Sequence, residues 1–145
     1  MVNKNNIDNK VVDDFGKEWK AFNHQGLKNN DLQSAFDSYF HFFPFANLKD
    51  AEGFDMGCGS GRWAKFVAKK VGFLNCIDAS HLALDQAKLN LVDATNYSLE
   101  CAGVDNNSLK DESQDFGYSL GVLHHIPDTT LALQSCAKKL KSGAP

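Results

Sequence analysis

The sequence has no hydrophobic run that approaches the roughly 20 residues a membrane-spanning helix needs, so no membrane span is expected. Its first ten residues, MVNKNNIDNK, are polar and have no apolar core, and we therefore expect no signal peptide. The formal net charge of -3 gives no electrostatic footprint for nucleic acid or for an anionic membrane. Neither is expected among the partners.

Paired cysteines are missing too. The chain has four cysteines and no C-x-x-C spacing, so we expect neither a disulfide framework nor a metal site. The four are Cys58, Cys76, Cys101 and Cys136. This usage indicates a reducing, cytoplasmic location, and a length of 145 residues suits one domain.

Residues 1–49 are predicted to form a helical extension. Phe15, Trp19 and Phe22 recur at i, i+4 and i+7, which places them on one helical face. A second apolar stripe runs from Leu32 to Phe43. These stripes predict core packing, with a lid over a substrate as the alternative.

Residues 50–145 change to strands that alternate with helices. Short apolar runs at 53–56, 72–78, 97–105 and 115–123 predict four strands. Alternation of this kind predicts a parallel sheet with right-handed crossovers and a ligand at the carboxyl ends of its strands. The predicted helix caps along the whole chain are Asp13 or Asp14, Asp31, Ser80 and Asp128.

A glycine-rich loop follows the first predicted strand, in the segment FDMGCGSGRWA at 54–64. Glycines after a strand let the main chain approach a ligand closely, because no Cβ stands in the way. A dinucleotide-binding loop reads G-x-G-x-x-G, but Arg62 occupies the third glycine position of that pattern. Asp55 repels a pyrophosphate and attracts a cation, so the loop favours a cationic, ribose-bearing cofactor over NAD.

Acidic residues also end the next two predicted strands. Asp78 is suited to accept two hydrogen bonds from a ribose diol, although it could instead cap a helix together with Ser80. Asp105 and Asn106 are suited to read adenine, although this pair is also common in turns. Acidic side chains at three successive strand ends favour the ligand interpretation.

With these motifs the sequence resembles the class I methyltransferases that depend on S-adenosylmethionine (SAM), in their small-molecule and lipid-type group. The glycine loop resembles the first motif of the family, and CIDAS at 76–80 resembles its acidic second-strand end. SLGVLHHIPD at 119–128 resembles the fourth-strand motif. FGKEWKAF at 15–22 and LKSGAP at 140–145 resemble the helix before the core and the L-K-P-G-G motif.

The resemblance implies a Rossmann-like, doubly wound, mainly parallel α/β sheet over 50–145, with strands one to four of the family fold. It implies methyl transfer from SAM to a small-molecule acceptor, with S-adenosylhomocysteine as product and no metal. The implied cofactor contacts are Asp55, Gly57, Cys58, Gly59, Asp78, Ala79, Ser80, Asp105, Asn106 and the Leu120 carbonyl. His124 and His125, beyond strand four, are the candidates for a general base.

The sequence departs from the family at its end. The family sheet has seven strands in the order 3-2-1-4-5-7-6, whereas this sequence stops after the helix that follows strand four. Strand four is then expected to expose an apolar edge, which favours a homo-oligomer through that edge. The alternative to an enzyme is a non-catalytic SAM-binding half-domain or interaction module. An NAD-dependent oxidoreductase is disfavoured by Arg62 and Asp55.

Overall fold

A four-stranded parallel sheet forms the centre of the computed structural model, which describes residues 6–21 and 29–145. The strands are β1 (Glu52–Met56), β2 (Phe73–Asp78), β3 (Tyr97–Cys101) and β4 (Phe116–Tyr118). Their order is β3-β2-β1-β4, and all three neighbouring pairs are parallel. The predicted Rossmann-like α/β class and the order of strands one to four are confirmed.

Five α-helices lie in the described residues, and their starts test the predicted caps. They are α1 (Asn9–Ala21), α2 (Asn29–Tyr39), α3 (Ala64–Val67), α4 (His81–Asn90) and α5 (Thr129–Lys139). Ser80 and Asp128 cap α4 and α5 as predicted, by accepting from backbone N–H groups. The cap predicted at Asp13 or Asp14 is wrong, because Asp8 accepts from the first backbone N–H groups of α1. Asp31 lies within the first turn of α2 and does not cap it.

The region around α2 packs into the core of the sheet. Phe36 and Phe40 are buried in the same cluster as β2 and β4, with their rings stacked at a centroid distance of 4.7 Å. On α1, Gly16 lies against Ser80 and Leu82 of the α4 region. Phe22 lies outside the described residues.

None of the described helices is long and apolar enough to cross a membrane.

Two glycines make room for aromatic rings where β1 and β4 pair. Gly53 pairs with Phe116, and a Cβ on Gly53 would lie 2.5 Å from that ring. Phe54 pairs with Gly117, whose Cβ would overlap the ring of Phe54. The two rings, both 1% exposed or less, therefore fill the opposite faces of the sheet, each over a glycine of the neighbouring strand.

Two strands are shorter than their sequence patterns predict, and the helix after the glycine loop is short as well. The helix after the glycine loop, α3, spans four residues, and the Asn96 carboxamide donates to the carbonyls of Ala68, Val71 and Gly72 just beyond it. The third strand ends at Cys101, since the chain turns at 103 to 106. The fourth strand ends at Tyr118. The apolar runs extend past both strands because apolar side chains beyond them, Val104 and Leu120, also pack against the core.

The outer edge of β4 is partly covered by the chain itself, and the expectation of a bare edge is wrong there. Leu140 forms a parallel bridge with Gln114, and the Lys141 amide donates to the Gln114 carbonyl at 2.9 Å. The Gly117 amide donates to the Pro145 carbonyl at 3.1 Å. Residues 140–145 thus occupy part of the position where another chain was expected, so the homo-oligomer stays a prediction with a weaker basis.

Candidate active site

The glycine loop at the carboxyl end of β1 adopts a backbone that only glycine accepts easily. Gly57, Gly59 and Gly61 all have positive φ angles, of 78°, 54° and 70°. The amides of Gly57 and Cys58 both donate to the Ile77 carbonyl, at 2.7 and 3.0 Å, which ties the loop to β2. The start of the loop is therefore anchored to the end of the neighbouring strand.

A close approach explains the first of these glycines. A Cβ on Gly57 would lie 2.5 Å from the methyl groups of Val122, which follows β4. A Cβ on Gly61 would lie 3.2 Å from Ala87 of α4. The lack of a side chain at Gly57 thus lets the segment after β4 approach the glycine loop. The lack of a side chain at Gly61 lets the start of α3 pack on α4.

Asp78 links the glycine loop to the next helix. Its Oδ2 accepts from the Gly59 amide at 2.9 Å, and its Oδ1 accepts from the Ser80 amide at 2.9 Å. Burial raises the pKa of this carboxyl above its usual range, and the two amide bonds oppose the rise. Each oxygen keeps a second lone pair. Asp78 therefore organises the backbone of the loop and also lines the cavity, where its contact with a ribose stays a prediction.

Asp55 is a buried carboxylate on β1, with 3% of its surface exposed. Its Oδ2 accepts a hydrogen bond from the Tyr118 hydroxyl at 2.9 Å. Burial raises the pKa of Asp55 to about 7; the Tyr118 bond opposes this rise, and the nearby Asp78 adds to it. This carboxyl can therefore change charge near neutral pH.

These residues face one cavity at the carboxyl ends of the strands. Nine of the predicted contacts line it: Asp55, Gly57, Cys58, Gly59, Asp78, Ala79, Ser80, Leu120 and His125. Asp105, Asn106 and His124 do not. Asn106 instead accepts from the Gly103 amide at 2.8 Å, which favours the turn interpretation for it. The cavity wall beside β3 comes from Ala102, Gly103 and Val104.

The two histidines differ in position. The ring of His125 lies 4.9 Å from that of Phe15 of α1, and both residues line the cavity. The ring of His124 contacts that of His125, with centroids 3.9 Å apart and planes tilted by 44°, and His124 does not line the cavity. Of the two candidates for a general base, only His125 meets the site.

The N-terminal segment closes one side of the cavity, and sequence reasoning missed most of it. Asn6, Ile7, Asp8, Val11 and Phe15 line the cavity. Asn6 is held in place by a residue far along the chain, Asp128. The Asn6 carboxamide donates to the Asp128 carbonyl at 2.9 Å and accepts from the Asp128 amide at 2.8 Å. The helical spacing of Phe15 was the one sequence pattern that pointed to this segment. Nothing in the sequence around Asn6 indicated that this polar residue lines the cavity.

A family model described as a methyltransferase domain matches residues 54–144. Among curated relatives, a ubiquinone biosynthesis O-methyltransferase of Paracidovorax citrulli is 28% identical over 124 residues, covering 78% of this chain and 52% of that protein. A tRNA U34 carboxymethyltransferase of Aliarcobacter butzleri is 34% identical over 105 residues, covering 68% of this chain and 33% of that protein. The chain thus spans about half, or less, of these relatives.

A solved structure supports the fold. The N-methyltransferase NodS of Bradyrhizobium japonicum, in complex with S-adenosylhomocysteine, superimposes with a TM-score of 0.77 at 18% identity. The match covers 92% of this chain and 69% of that one. At this identity the likeness concerns the fold alone.

Proposed function

This chain belongs to the class I SAM-dependent methyltransferase family, and from that membership we propose that it binds SAM in the cavity described above and takes part in methyl transfer to a small-molecule acceptor. The observation that carries the proposal is the pair of carboxylates, Asp55 and Asp78, beside a loop with three positive-φ glycines. The backbone clearance suits either kind of cofactor, but the charge of Asp55 attracts a cationic cofactor and repels a pyrophosphate.

The residues fit SAM group by group. The open backbone at Gly57 and Gly59 accommodates the methionine and ribose part, and Asp78 has free lone pairs for ribose hydroxyls. Asp55 offers a negative charge to the ammonium group. Ala102, Gly103 and Val104 offer an apolar wall for the adenine. When bound, SAM supplies a methyl group on a strongly activated leaving group.

The protein's contribution to transfer is orientation and exclusion of water. Ile7, Val11 and Phe15 bring apolar surface to one side of the cavity. His125 is the residue we propose as general base for an acceptor that keeps its proton at neutral pH. Its contact with Phe15 fixes the plane of the imidazole beside the cavity.

A small-molecule acceptor is supported by charge. The cavity lining contains three aspartates, Asp8, Asp55 and Asp78, against one arginine, Arg62, and the whole chain carries a net charge of -3. A polynucleotide acceptor requires a basic surface. The similarity to a tRNA-modifying enzyme nevertheless makes tRNA the acceptor to compare.

A labelling experiment tests both parts of the proposal. The protein is incubated with methyl-labelled SAM and either a small-molecule cell extract or total tRNA, and the His125→Ala variant serves as the control for transfer. We expect label in the small-molecule fraction, reduced by His125→Ala. Label in tRNA would contradict the acceptor class, and SAM binding without any transfer would favour the non-catalytic module.

A further inference from the structure

Tyr118 touches the cofactor site only through another side chain. Its hydroxyl donates to Asp55 Oδ2 at 2.9 Å, and Tyr118 itself does not line the cavity, whereas Asp55 does. The two residues are register partners on the parallel strands β4 and β1. The pairing of the two strands therefore places the Tyr118 hydroxyl beside the Asp55 carboxylate, which lines the cavity.

The tyrosine ring packs against the segment that follows α2. Its centroid lies 5.2 Å from that of Phe40, edge to face, and 6.5 Å from that of Phe43. Burial raises the pKa of Tyr118 well above its usual range, so the hydroxyl keeps its proton and stays a donor. Asp55 thus has a fixed neutral donor on one side and the cavity on the other.

The pKa of Asp55 is set by burial, by the bond from Tyr118 and by the nearby Asp78, and none of these three causes is a cation. Burial raises the pKa of Asp55 to about 7, so the carboxyl is partly protonated at neutral pH. The titratable and charged groups that face it or share its cavity are Tyr118 on β4, Cys76 and Asp78 on β2, Cys58 and Arg62 after β1, Asp8 before α1, and His125 after β4.

We propose that Tyr118 is a positioning residue for cofactor capture: its hydroxyl orients the Asp55 carboxylate and sets the pH above which Asp55 exchanges its proton for the ammonium group of the cofactor. This inference rests on the proposed function, because it takes SAM as the ligand of the cavity. In the exchange the proton leaves the Asp55 carboxyl for the solvent, and the carboxylate that remains pairs with the ammonium.

Calorimetry measures the exchange directly. S-adenosylhomocysteine is titrated into the full chain at pH 6 to 9, in two buffers of different ionisation enthalpy, and the protons released per ligand are counted. The variants are Tyr118→Phe, which deletes only the donor, and Asp55→Asn, which cannot ionise. Tyr97→Phe is the matched control, because Tyr97 is partly buried on β3 and does not line the cavity.

We expect the wild type to release about half a proton more than Asp55→Asn at pH 7, and no excess at pH 9, given a pKa of about 7. Without its donor, Asp55 binds its proton more tightly. Tyr118→Phe is therefore expected to move the midpoint of the pH profile upward by about one unit and to weaken binding at pH 7 about five-fold. Tyr97→Phe should follow the wild type.

The failures are distinguishable. Equal proton release by wild type and Asp55→Asn at every pH would overturn this inference, and that comparison needs no change at Tyr118. A pH profile of Tyr118→Phe that lies on the wild-type profile would overturn the role of the tyrosine. Absence of binding by the wild type at all pH values would overturn the proposed function and this inference with it.

Discussion

The central and outer strands of the sheet end in different ways. Past β1 and β2 the backbone is tied across the strands, through the Gly57 and Cys58 amides on Ile77 and through Asp78 on the Gly59 amide. β3 instead runs into a turn closed within 103–106, and β4 stops after three residues. The central strands, β1 and β2, supply the carboxylates and the glycine loop of the cavity. The outer strands, β3 and β4, are followed by segments that form its walls. Changes at the central pair should therefore weaken binding most.

The largest effect is expected at Gly57. In Gly57→Ala the new Cβ would meet Val122 at 2.5 Å in a left-handed backbone, so we expect S-adenosylhomocysteine affinity to fall by a factor on the order of 100 or more. Gly143→Ala is the control, because Gly143 has a similar φ of 79° and open space around its Cβ. Equal binding by both variants, measured calorimetrically, would reduce the loop to an ordinary turn.

The second largest loss of affinity is expected for Asp78→Ala. It removes the carboxylate offered to the ribose and the anchor of the Gly59 amide, and one charge-assisted hydrogen bond to the ribose is worth about 1.5–3 kcal/mol. We expect affinity to fall roughly 10- to 100-fold, with Asp78→Asn in between because one oxygen remains. Titration of both variants checks the order, and an unchanged affinity in Asp78→Ala would remove this residue from the site.

The outer edge of β4 gives a prediction about association. Deleting residues 142–145 removes the carbonyl that accepts from the Gly117 amide and uncovers an apolar strand. We expect light scattering of the shortened chain to show more association with rising concentration than the full chain shows. Identical scattering from both would mean that this segment does not protect the edge.

The smallest effect is expected on the outer side of the cavity. Asn106→Ala removes one hydrogen bond, to the Gly103 amide, worth about 0.5–1.5 kcal/mol to the turn. We expect a loss of affinity of at most about ten-fold, smaller than that of Asp78→Ala. A larger loss of affinity for Asn106→Ala than for Asp78→Ala would contradict this ranking of the strands. It would favour Asn106 as a contact of the adenine.

The sequence predicts the central pair well for a physical reason. Glycines and aspartates at a strand end report local requirements for backbone freedom and charge, and Gly57, Gly59 and Asp78 lie together in the cavity as expected. The features it did not predict depend on partners far along the chain. Asn6 bonds to Asp128 across 122 positions, and no local pattern reports such a pair.

Distant partners also decide where α3 ends and how the edge of β4 is covered. The end of α3 depends on Asn96, and the cover of β4 depends on residues 140–145. Asp105 and Asn106 were predicted as ligand contacts because they follow an apolar run, yet the strand ends at Cys101 and both residues lie in the turn at 103–106, outside the cavity lining. Strand length, which propensity alone does not fix, decided where these side chains lie.

The central claim, that the cavity at β1 and β2 holds SAM, is tested most directly by calorimetric titration of the full chain with S-adenosylhomocysteine and, separately, with NAD. The account predicts one S-adenosylhomocysteine bound per chain, a clear loss of affinity in Asp78→Ala, and no heat from NAD under the same conditions. Binding of NAD, or S-adenosylhomocysteine binding that is the same in wild type and Asp78→Ala, would contradict it.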